Sequence, residues 1–263
     1  MAIRLLSVDV DGTITNGRNQ VTQATADALR RAAAAGVIVT LNTGRNLCES
    51  QMVLDRVPEI RYLMGCTGAF LMDVQQHERL SNHTLDIVTA RQVNAIFRKY
   101  DTLIGIFYDD LVCNQADEIG QFTRFYPAEM KSVFDTHTVV PSLTATLAAR
   151  EGGVDKFYVV FADAAAQQAA LREIEPLPVF VTSAGFIDME VMSKDANKGA
   201  ILLELAERLN IRPEEILAIG DSENDVAMLQ TAGVGVAMGY DAMFGFAVVM
   251  LGIGVGFAAA LTN

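Results

Sequence analysis

The sequence predicts an α/β fold in which a parallel β-sheet is interrupted by an inserted α+β module. Near both ends of the chain, short apolar runs alternate with helical stretches, which is the pattern of parallel strands joined by crossover helices. Between them, strand-like runs around tight turns predict antiparallel pairing. We therefore assign residues 1–80 and 187–263 to one core and residues 81–186 to an inserted domain.

The first core segment predicts three buried strands. The first strand, residues 3–9, is a short apolar run, and Asp11-Gly12 lies just beyond it. The second strand is "VIVTLNTG" and the third is "RYLMGC". The helix between the first two strands has Thr22 as its predicted N-cap and Gly36 as its stop. A second helix is predicted between the second and third strands.

The inserted segment predicts a mixture of strands and helices. Residues 86–100 form an amphipathic helix, two strands flank a turn at Asp109 and Asp110, and a helix follows the strand "KFYVVFA". The alternation of helices and apolar strands then resumes with the helix "KGAILLELAERLN". Two further buried strands, "ILAIG" and "VGVAM", complete the predicted parallel sheet.

Composition limits the function classes. The chain has 263 residues and a net charge of −12, which argues against a nucleic-acid-binding protein because that function needs a basic face. Its three cysteines form no pair motif and its three histidines form no zinc pattern. An aspartate at position 9 interrupts any apolar signal region. We therefore expect a cytoplasmic protein with reduced thiols.

Three of the predicted core strands deliver polar residues at their carboxyl ends. In a parallel sheet these ends share one edge, where ligands bind, so we expect the three sets around one crevice. The sets are Asp9, Asp11 and Thr13 after the first strand, Thr43, Gly44 and Arg45 after the second, and Asp221, Ser222, Asn224 and Asp225 after a later one.

This set of residues indicates phosphate chemistry. Four converging aspartates repel one another unless a cation lies among them, and carboxylates without clustered His or Cys favour Mg²⁺. Mg²⁺ attracts phosphate, for which Thr43, the glycine-rich turns and Lys198 offer partners. Asp9 and Asp11 are two residues apart on one strand and so point to the same face. One carboxylate can attack phosphorus while the other acts as general acid and base.

Four motifs carry a resemblance to a known family. In order and spacing, "DVDGT", "TGR", "NKG" and "GDSENDVAML" resemble the motifs of the haloacid dehalogenase superfamily of phosphatases. The module between the second and third motifs resembles the C2-type cap of the Cof-like branch, subfamily IIB, and the resemblance covers about residues 1–240. It implies a Rossmann-like core with a cap that excludes water and contacts the leaving group. The implied activity is Mg²⁺-dependent hydrolysis of a small phosphomonoester, such as a sugar phosphate, through an aspartyl phosphate.

The resemblance also implies a role for each matching residue. Asp9 matches the nucleophile, and Asp11 matches the general acid and base, whose backbone carbonyl is expected to bind Mg²⁺. Thr43 matches the residue that hydrogen-bonds the transferring phosphoryl group, with Gly44 and Arg45 as further phosphate or substrate contacts. Lys198 matches the lysine that neutralises the nucleophile and the phosphate. Asp221 matches an acidic Mg²⁺ ligand that acts together with Asp9, and Asp225 is expected in or just behind that ligand shell. Asn224 is expected to orient phosphate or Lys198.

Some assignments leave alternatives open. Lys194 competes with Lys198 for the lysine position, although a glycine and a helix start follow Lys198. Arg45 is either a substrate contact or a surface arginine of a first helical turn. Many relatives have Asn-Gly where this chain has Thr67-Gly68. A phosphomutase of the same superfamily and a non-catalytic phosphate-binding protein remain alternatives to the phosphatase, and the sequence leaves monomer and homodimer open.

The carboxyl-terminal segment departs from the family pattern. Residues 242–263 carry no charge, whereas relatives usually continue with a charged helix and a further strand. Three interpretations compete: a final apolar strand and helix packed on the sheet, which we favour, a membrane or partner segment, or an altered end. The membrane interpretation is the weaker one because the motifs belong to a soluble fold.

Overall fold

The computed structural model describes residues 2–183, 187–238 and 251–252. The chain divides into two compact units, residues 1–82 with 197–263 and residues 83–196. Each unit has its own sheet and its own apolar core. The predicted α/β fold is confirmed.

The two units contain the following strands and helices. The strands are β1 (Leu5–Val8), β2 (Ile38–Asn42), β3 (Tyr62–Gly65), β4 (Phe70–Asp73), β5 (Glu78–Asn82), β6 (Thr102–Tyr108), β7 (Leu111–Gln115), β8 (Thr138–Val140), β9 (Lys156–Phe161), β10 (Val179–Thr182), β11 (Asp188–Ser193), β12 (Ile216–Gly220), β13 (Val234–Ala237) and β14 (Leu251–Gly252). The helices are α1 (Gln23–Ala34), α2 (Leu47–Arg56), α3 (Ile87–Phe97), α4 (Ala116–Ile119), α5 (Leu143–Ala149), α6 (Ala164–Ile174), α7 (Lys198–Arg208) and α8 (Val226–Thr231).

The sheet of the first unit has a parallel centre. Its strand order is β14-β13-β12-β1-β2-β3-β4-β5, and the strands from β13 to β3 run parallel. Strands β4 and β5 form an antiparallel hairpin at one edge. Because β1 lies between β12 and β2, the segments that follow these three strands emerge side by side at one edge of the sheet.

Side-chain caps fix where the helices of the first unit begin. The predicted N-cap Thr22 accepts a hydrogen bond from the Thr25 backbone nitrogen at 3.2 Å. Asn46 caps α2 and, with Glu49, forms a capping box. Asn197 caps α7, so the helix begins at Lys198 and this residue stands at the edge where the parallel strands end.

The second unit has a sheet of order β10-β11-β9-β6-β7-β8. Its pairs are antiparallel, as predicted, except that the short edge strand β8 runs parallel to β7. Helices α3, α5 and α6 contribute to one apolar core with the sheet, in which Phe97 packs against Phe157 and Phe161.

The boundary between the inserted segment and the returning core needs a correction. The sequence pattern predicts the return at residue 187, whereas the structure places it at Asn197. The reason is strand β11, which pairs with β10 on one side and with β9 on the other and therefore belongs to the second unit.

The apolar carboxyl-terminal segment lies almost entirely outside the described residues. Within it, Leu251–Gly252 pairs antiparallel with β13. The three interpretations of residues 242–263 therefore remain predictions. Within the part of the chain that the structure describes, no helix is both long and apolar enough to cross a membrane.

Candidate active site

Lys198 lies between two carboxylates at the edge where the parallel strands end. Its Nζ atom donates a hydrogen bond to Asp9 Oδ1 at 2.7 Å and another to Asp225 Oδ1 at 2.6 Å. All three side chains are buried. The elements that carry them are adjacent, because Asp9 follows β1, Asp225 follows the neighbouring strand β12, and Lys198 begins α7.

Burial and charge perturb this cluster strongly. Burial raises the pKa of Asp9 to about 7, against the opposing attraction of the Lys198 ammonium. For Lys198, burial alone would lower the pKa, but the charges of Asp9 and Asp225 outweigh it and raise the pKa above the ordinary lysine value. The lysine is therefore a permanent cation between two acids, which is a setting typical of functional sites.

Asp225 organises the turn that follows β12. Its Oδ2 atom accepts hydrogen bonds from the backbone nitrogens of Asp221 at 2.9 Å and Ser222 at 3.0 Å, and from the Ser222 hydroxyl at 3.1 Å. Both of its oxygens are thus engaged, one by this turn and one by Lys198. Asp225 therefore supports the site from behind while Asp221 presents its carboxylate further forward, half-exposed.

The acidic cluster has the composition of a magnesium site. One carboxylate oxygen from each of Asp9, Asp221 and Asp225 lies within 4.8 Å of the others. Asp221 is fixed by a hydrogen bond from the Thr13 hydroxyl at 2.6 Å, and burial raises its pKa. A set of oxygen donors, with three acids and one lysine, fits a hard divalent cation. The Asp11 side chain is not part of this cluster.

Gly12 permits the close approach of Asp221. Its φ angle is +79°, and a Cβ atom built on it would lie 2.2 Å from Asp221 Oδ2. We predict that Gly12→Ala displaces the Asp221 carboxylate and lowers the free energy of unfolding by about 1–3 kcal/mol. Denaturant unfolding measures this. Gly17→Ala is the control, because a Cβ atom there meets nothing within 4 Å, and equal losses in the two variants would contradict the prediction.

Arg45 binds Asp11, a contact that the sequence analysis did not predict. Its Nε atom donates to Asp11 Oδ2 at 2.8 Å, and its Nη2 atom donates to Asp11 Oδ1 and, at 2.6 Å, to Asn19 Oδ1. Its Nη1 atom donates to the Glu49 carbonyl at 3.0 Å. The guanidinium thus pairs with both oxygens of Asp11, and its pKa is raised by that carboxylate although burial alone would lower it.

The second motif is held by the loop after β3. Thr43 is fully buried, and its hydroxyl accepts a hydrogen bond from the Arg45 backbone nitrogen at 3.2 Å. The Thr67 backbone nitrogen donates to the Thr43 carbonyl at 2.9 Å. Thr67 adopts the left-handed conformation with φ 59°, which is costly for a β-branched residue and which asparagine tolerates better. This loop therefore stores strain next to the site.

The structure brings most of the predicted site residues together. Asp9, Lys198, Asp221 and Asp225 form the cluster described above, and Lys194, the alternative lysine, is exposed and precedes α7. Asn224 accepts a hydrogen bond from the Ser222 hydroxyl at 2.9 Å. Three contacts were not predicted from the sequence: Arg45 with Asp11, Thr13 with Asp221, and Ser222 with Asp225. The adjacency of the segments after β1, β2 and β12 is the signal that could have suggested the first two contacts, whereas the third is a local capping box between residues three positions apart.

Comparison with known proteins identifies the family to which this chain is similar. The family model described as haloacid dehalogenase-like hydrolase matches residues 6–241. The chain is 26% identical over 258 residues to the phosphatase YwpJ of Bacillus subtilis, covering 90% of each protein. It is 26% identical over 237 residues to a phosphoglycolate phosphatase of Methanoculleus marisnigri, covering 90% of this chain and 84% of that one.

A solved structure shows the same fold. A haloacid dehalogenase-like hydrolase from B. subtilis superposes with a TM-score of 0.77 at 24% identity, covering 90% of each chain. The family model spans both described units and all four motifs. The chain therefore belongs to the haloacid dehalogenase-like hydrolase family, as a hydrolase of its Cof-type phosphatase branch.

Proposed function

We propose that this chain hydrolyses small phosphomonoesters by transferring the phosphoryl group first to Asp9 and then to water. The observation that carries the proposal is the buried carboxylate of Asp9 beside a permanent cation, with Nζ of Lys198 at 2.7 Å. A carboxylate held in this way is a nucleophile suited to phosphorus, because the lysine offsets the negative charge that attacker and phosphate would otherwise share.

The first half of the reaction forms the covalent intermediate. An oxygen of Asp9 bonds to phosphorus as the bond from phosphorus to the leaving oxygen breaks, and Asp11 donates a proton to that oxygen. The product alcohol leaves, and Asp9 carries the phosphoryl group. In the second half, Asp11 takes a proton from water, the water oxygen bonds to phosphorus, and the bond from Asp9 to phosphorus breaks, which releases inorganic phosphate.

Several residues support these steps, although none of their own covalent bonds forms or breaks. Lys198 stays protonated and holds Asp9 in place, while Asp225 holds both Lys198 and the turn that carries Asp221. Asp9 and Asp221, with Asp225 behind them, would hold Mg²⁺, which when bound neutralises charge on the phosphoryl oxygens. Thr43 and Gly44 are proposed to donate hydrogen bonds to the phosphoryl group, with Asn224 orienting it.

Arg45 imposes a condition on Asp11. Its guanidinium contacts both oxygens of that carboxylate. Each oxygen of Asp11 keeps a second lone pair for the transferred proton, so the two contacts fix the direction from which Asp11 can reach a leaving group. We therefore place Arg45 beside the leaving group, where a substrate oxygen competes with Asp11 for its donors.

The substrate class is that of small phosphorylated metabolites, such as sugar phosphates. Relatives of comparable similarity include one named for phosphoglycolate, and others of the same family bear the names of further metabolites. Similarity at this level does not select one of them, because specificity depends on contacts to the leaving group rather than on the shared motifs.

Phosphate release from a panel of phosphorylated metabolites tests the proposal. The panel contains sugar phosphates, 2-phosphoglycolate and pyridoxal phosphate, each measured with Mg²⁺ and with chelator. We expect Mg²⁺-dependent release of inorganic phosphate from at least one compound. Conversion of a compound into a phosphorylated isomer without release would instead identify a phosphomutase, and binding without turnover would identify a non-catalytic protein.

A further inference from the structure

Asn42 is a buried polar residue at the end of β2, immediately before Thr43. Its side chain is fully buried, although the other positions near it in β2 carry mainly apolar or β-branched residues. A side-chain amide at such a position needs hydrogen-bond partners, because burying it without them is unfavourable. Its contacts therefore indicate what the residue does.

The amide nitrogen of Asn42 holds the start of α7. Its Nδ2 atom donates a hydrogen bond to the backbone carbonyl oxygen of Lys198 at 2.8 Å. The opposite orientation of the amide would place two oxygen acceptors against each other, so the contact determines which end of the amide faces Lys198. The end of β2 is thereby tied to the residue whose ammonium lies between Asp9 and Asp225.

The loop after β3 also lies close to the start of α7. Gly68 lies so close to Asn197 that a Cβ atom built on it would be 2.5 Å from the Asn197 carbonyl oxygen. The loop after β3 thus packs against the backbone of Asn197, while the Asn42 side chain is hydrogen-bonded to the backbone of Lys198.

The other end of the amide has no such partner. Within the described residues, no donor reaches Asn42 Oδ1, although that atom is buried. An unpaired buried acceptor is costly, so stability alone favours an apolar residue of the same shape. What asparagine offers here is the hydrogen bond to the Lys198 carbonyl, and that hydrogen bond serves the candidate active site rather than the apolar core.

We propose that Asn42 is a positioning residue, which fixes the backbone of Lys198 so that its ammonium stays between Asp9 and Asp225. The inference rests on the proposed function in that Lys198 serves the transfer of a phosphoryl group. Its physical content, the restraint of one lysine by one amide, is measurable without any substrate.

Chemical labelling of lysines tests the restraint directly. Asn42→Leu keeps the branched shape of the side chain and removes the donor. The wild type and the variant are treated with acetic anhydride, and acetylation of Lys198 is followed by mass spectrometry relative to Lys156, which is also buried and is paired with Glu190 at 2.8 Å. We expect labelling of Lys198 relative to Lys156 to rise about tenfold, the effect of losing one hydrogen bond at the site.

Thr40→Val is the matched control. Thr40 is fully buried in the same strand, and its hydroxyl donates to the Leu6 carbonyl at 3.2 Å, away from Lys198. We expect no change in Lys198 labelling in this variant, and a Tm of Asn42→Leu within about 3 °C of the wild type. Unchanged Lys198 labelling in Asn42→Leu, or equal increases in both variants, would overturn the inference.

A binding measurement separates this inference from the proposed function. Inorganic phosphate is titrated into the Mg²⁺-containing wild type and into Asn42→Leu by calorimetry, and we expect the Kd to rise about tenfold in the variant. A variant with faster Lys198 labelling but wild-type phosphate affinity would overturn the role of Asn42 in the reaction. A wild type that releases no phosphate from the metabolite panel would refute the proposed function, while the labelling result still decides whether Asn42 restrains Lys198.

Discussion

Lys198→Met is expected to lower the free energy of unfolding by about 3–5 kcal/mol near neutral pH and to abolish turnover. The lysine ammonium is the shared partner of two buried carboxylates, at 2.7 Å from Asp9 and 2.6 Å from Asp225. Methionine has a similar length but carries no charge, so both acids are left buried without their cation. Denaturant unfolding gives the stability, and phosphate release gives the activity.

The loss of stability in Lys198→Met depends on pH with a defined sign. The folded pKa of Asp9, about 7, lies above its unfolded value of 3.8, so this group contributes stability that is present at low pH and lost as the pH rises through about 7. Removing the lysine removes the attraction that opposes the shift, and the pKa of Asp9 rises further. We therefore expect the difference from the wild type to be larger at about pH 8 than at about pH 5.

Lys194→Met is the control for this experiment, because Lys194 is exposed and lies four residues before Lys198 in the chain. Its stability is expected to lie within about 0.5 kcal/mol of the wild type, with turnover retained. A Lys198→Met variant as stable as the control at about pH 8 would show that the buried ion pairs do not hold the site together.

Asp9→Asn is expected to reduce turnover by at least about a thousandfold with every substrate, because the amide cannot attack phosphorus. Asp11→Asn is the matched comparison, since it removes an acid from the same strand end but leaves the nucleophile. We expect this second variant to lose about 10²–10⁴-fold with alkyl phosphates, whose leaving oxygen needs a proton.

The leaving group separates the two roles. With p-nitrophenyl phosphate, whose phenolate leaves without protonation, Asp11→Asn is expected to form the intermediate at nearly the wild-type rate, while Asp9→Asn stays inactive. The rate of the first turnover, measured by rapid quench, makes the comparison. If Asp9→Asn retained activity with p-nitrophenyl phosphate, or if the two variants lost activity equally with both kinds of substrate, the assignment of nucleophile and acid would be wrong.

Several strands of the core could be predicted because they are short apolar runs whose ends are marked by polar residues. β1, β2 and β12 are of this kind, and their parallel order brings Asp9 and Asp225 together. Helix starts were equally clear where a side chain caps the backbone, as at Thr22. The polar residues at these strand ends thus predicted that Asp9 and Asp225 lie near each other.

What the sequence did not predict depends on pairing between distant segments. The assignment of β11 required knowing that it pairs with both β9 and β10, which its own apolar pattern does not reveal. The contact of Arg45 with Asp11 joins the segments that follow two neighbouring strands and leaves no local signal. Asn42 is likewise a polar residue at the end of a mainly apolar strand, and the sequence pattern does not indicate its hydrogen bond to the Lys198 carbonyl.

In the proposed mechanism, Asp9 carries the phosphoryl group during hydrolysis. The most direct measurement is mass spectrometry of the peptide that contains Asp9, after a single turnover with enzyme in excess and an acid quench. We predict that this peptide gains the mass of one phosphoryl group, that fragmentation locates the gain at Asp9, and that Asp9→Asn shows none. Phosphate release without any phosphorylated Asp9 at early times, in an enzyme that turns over, would contradict the account.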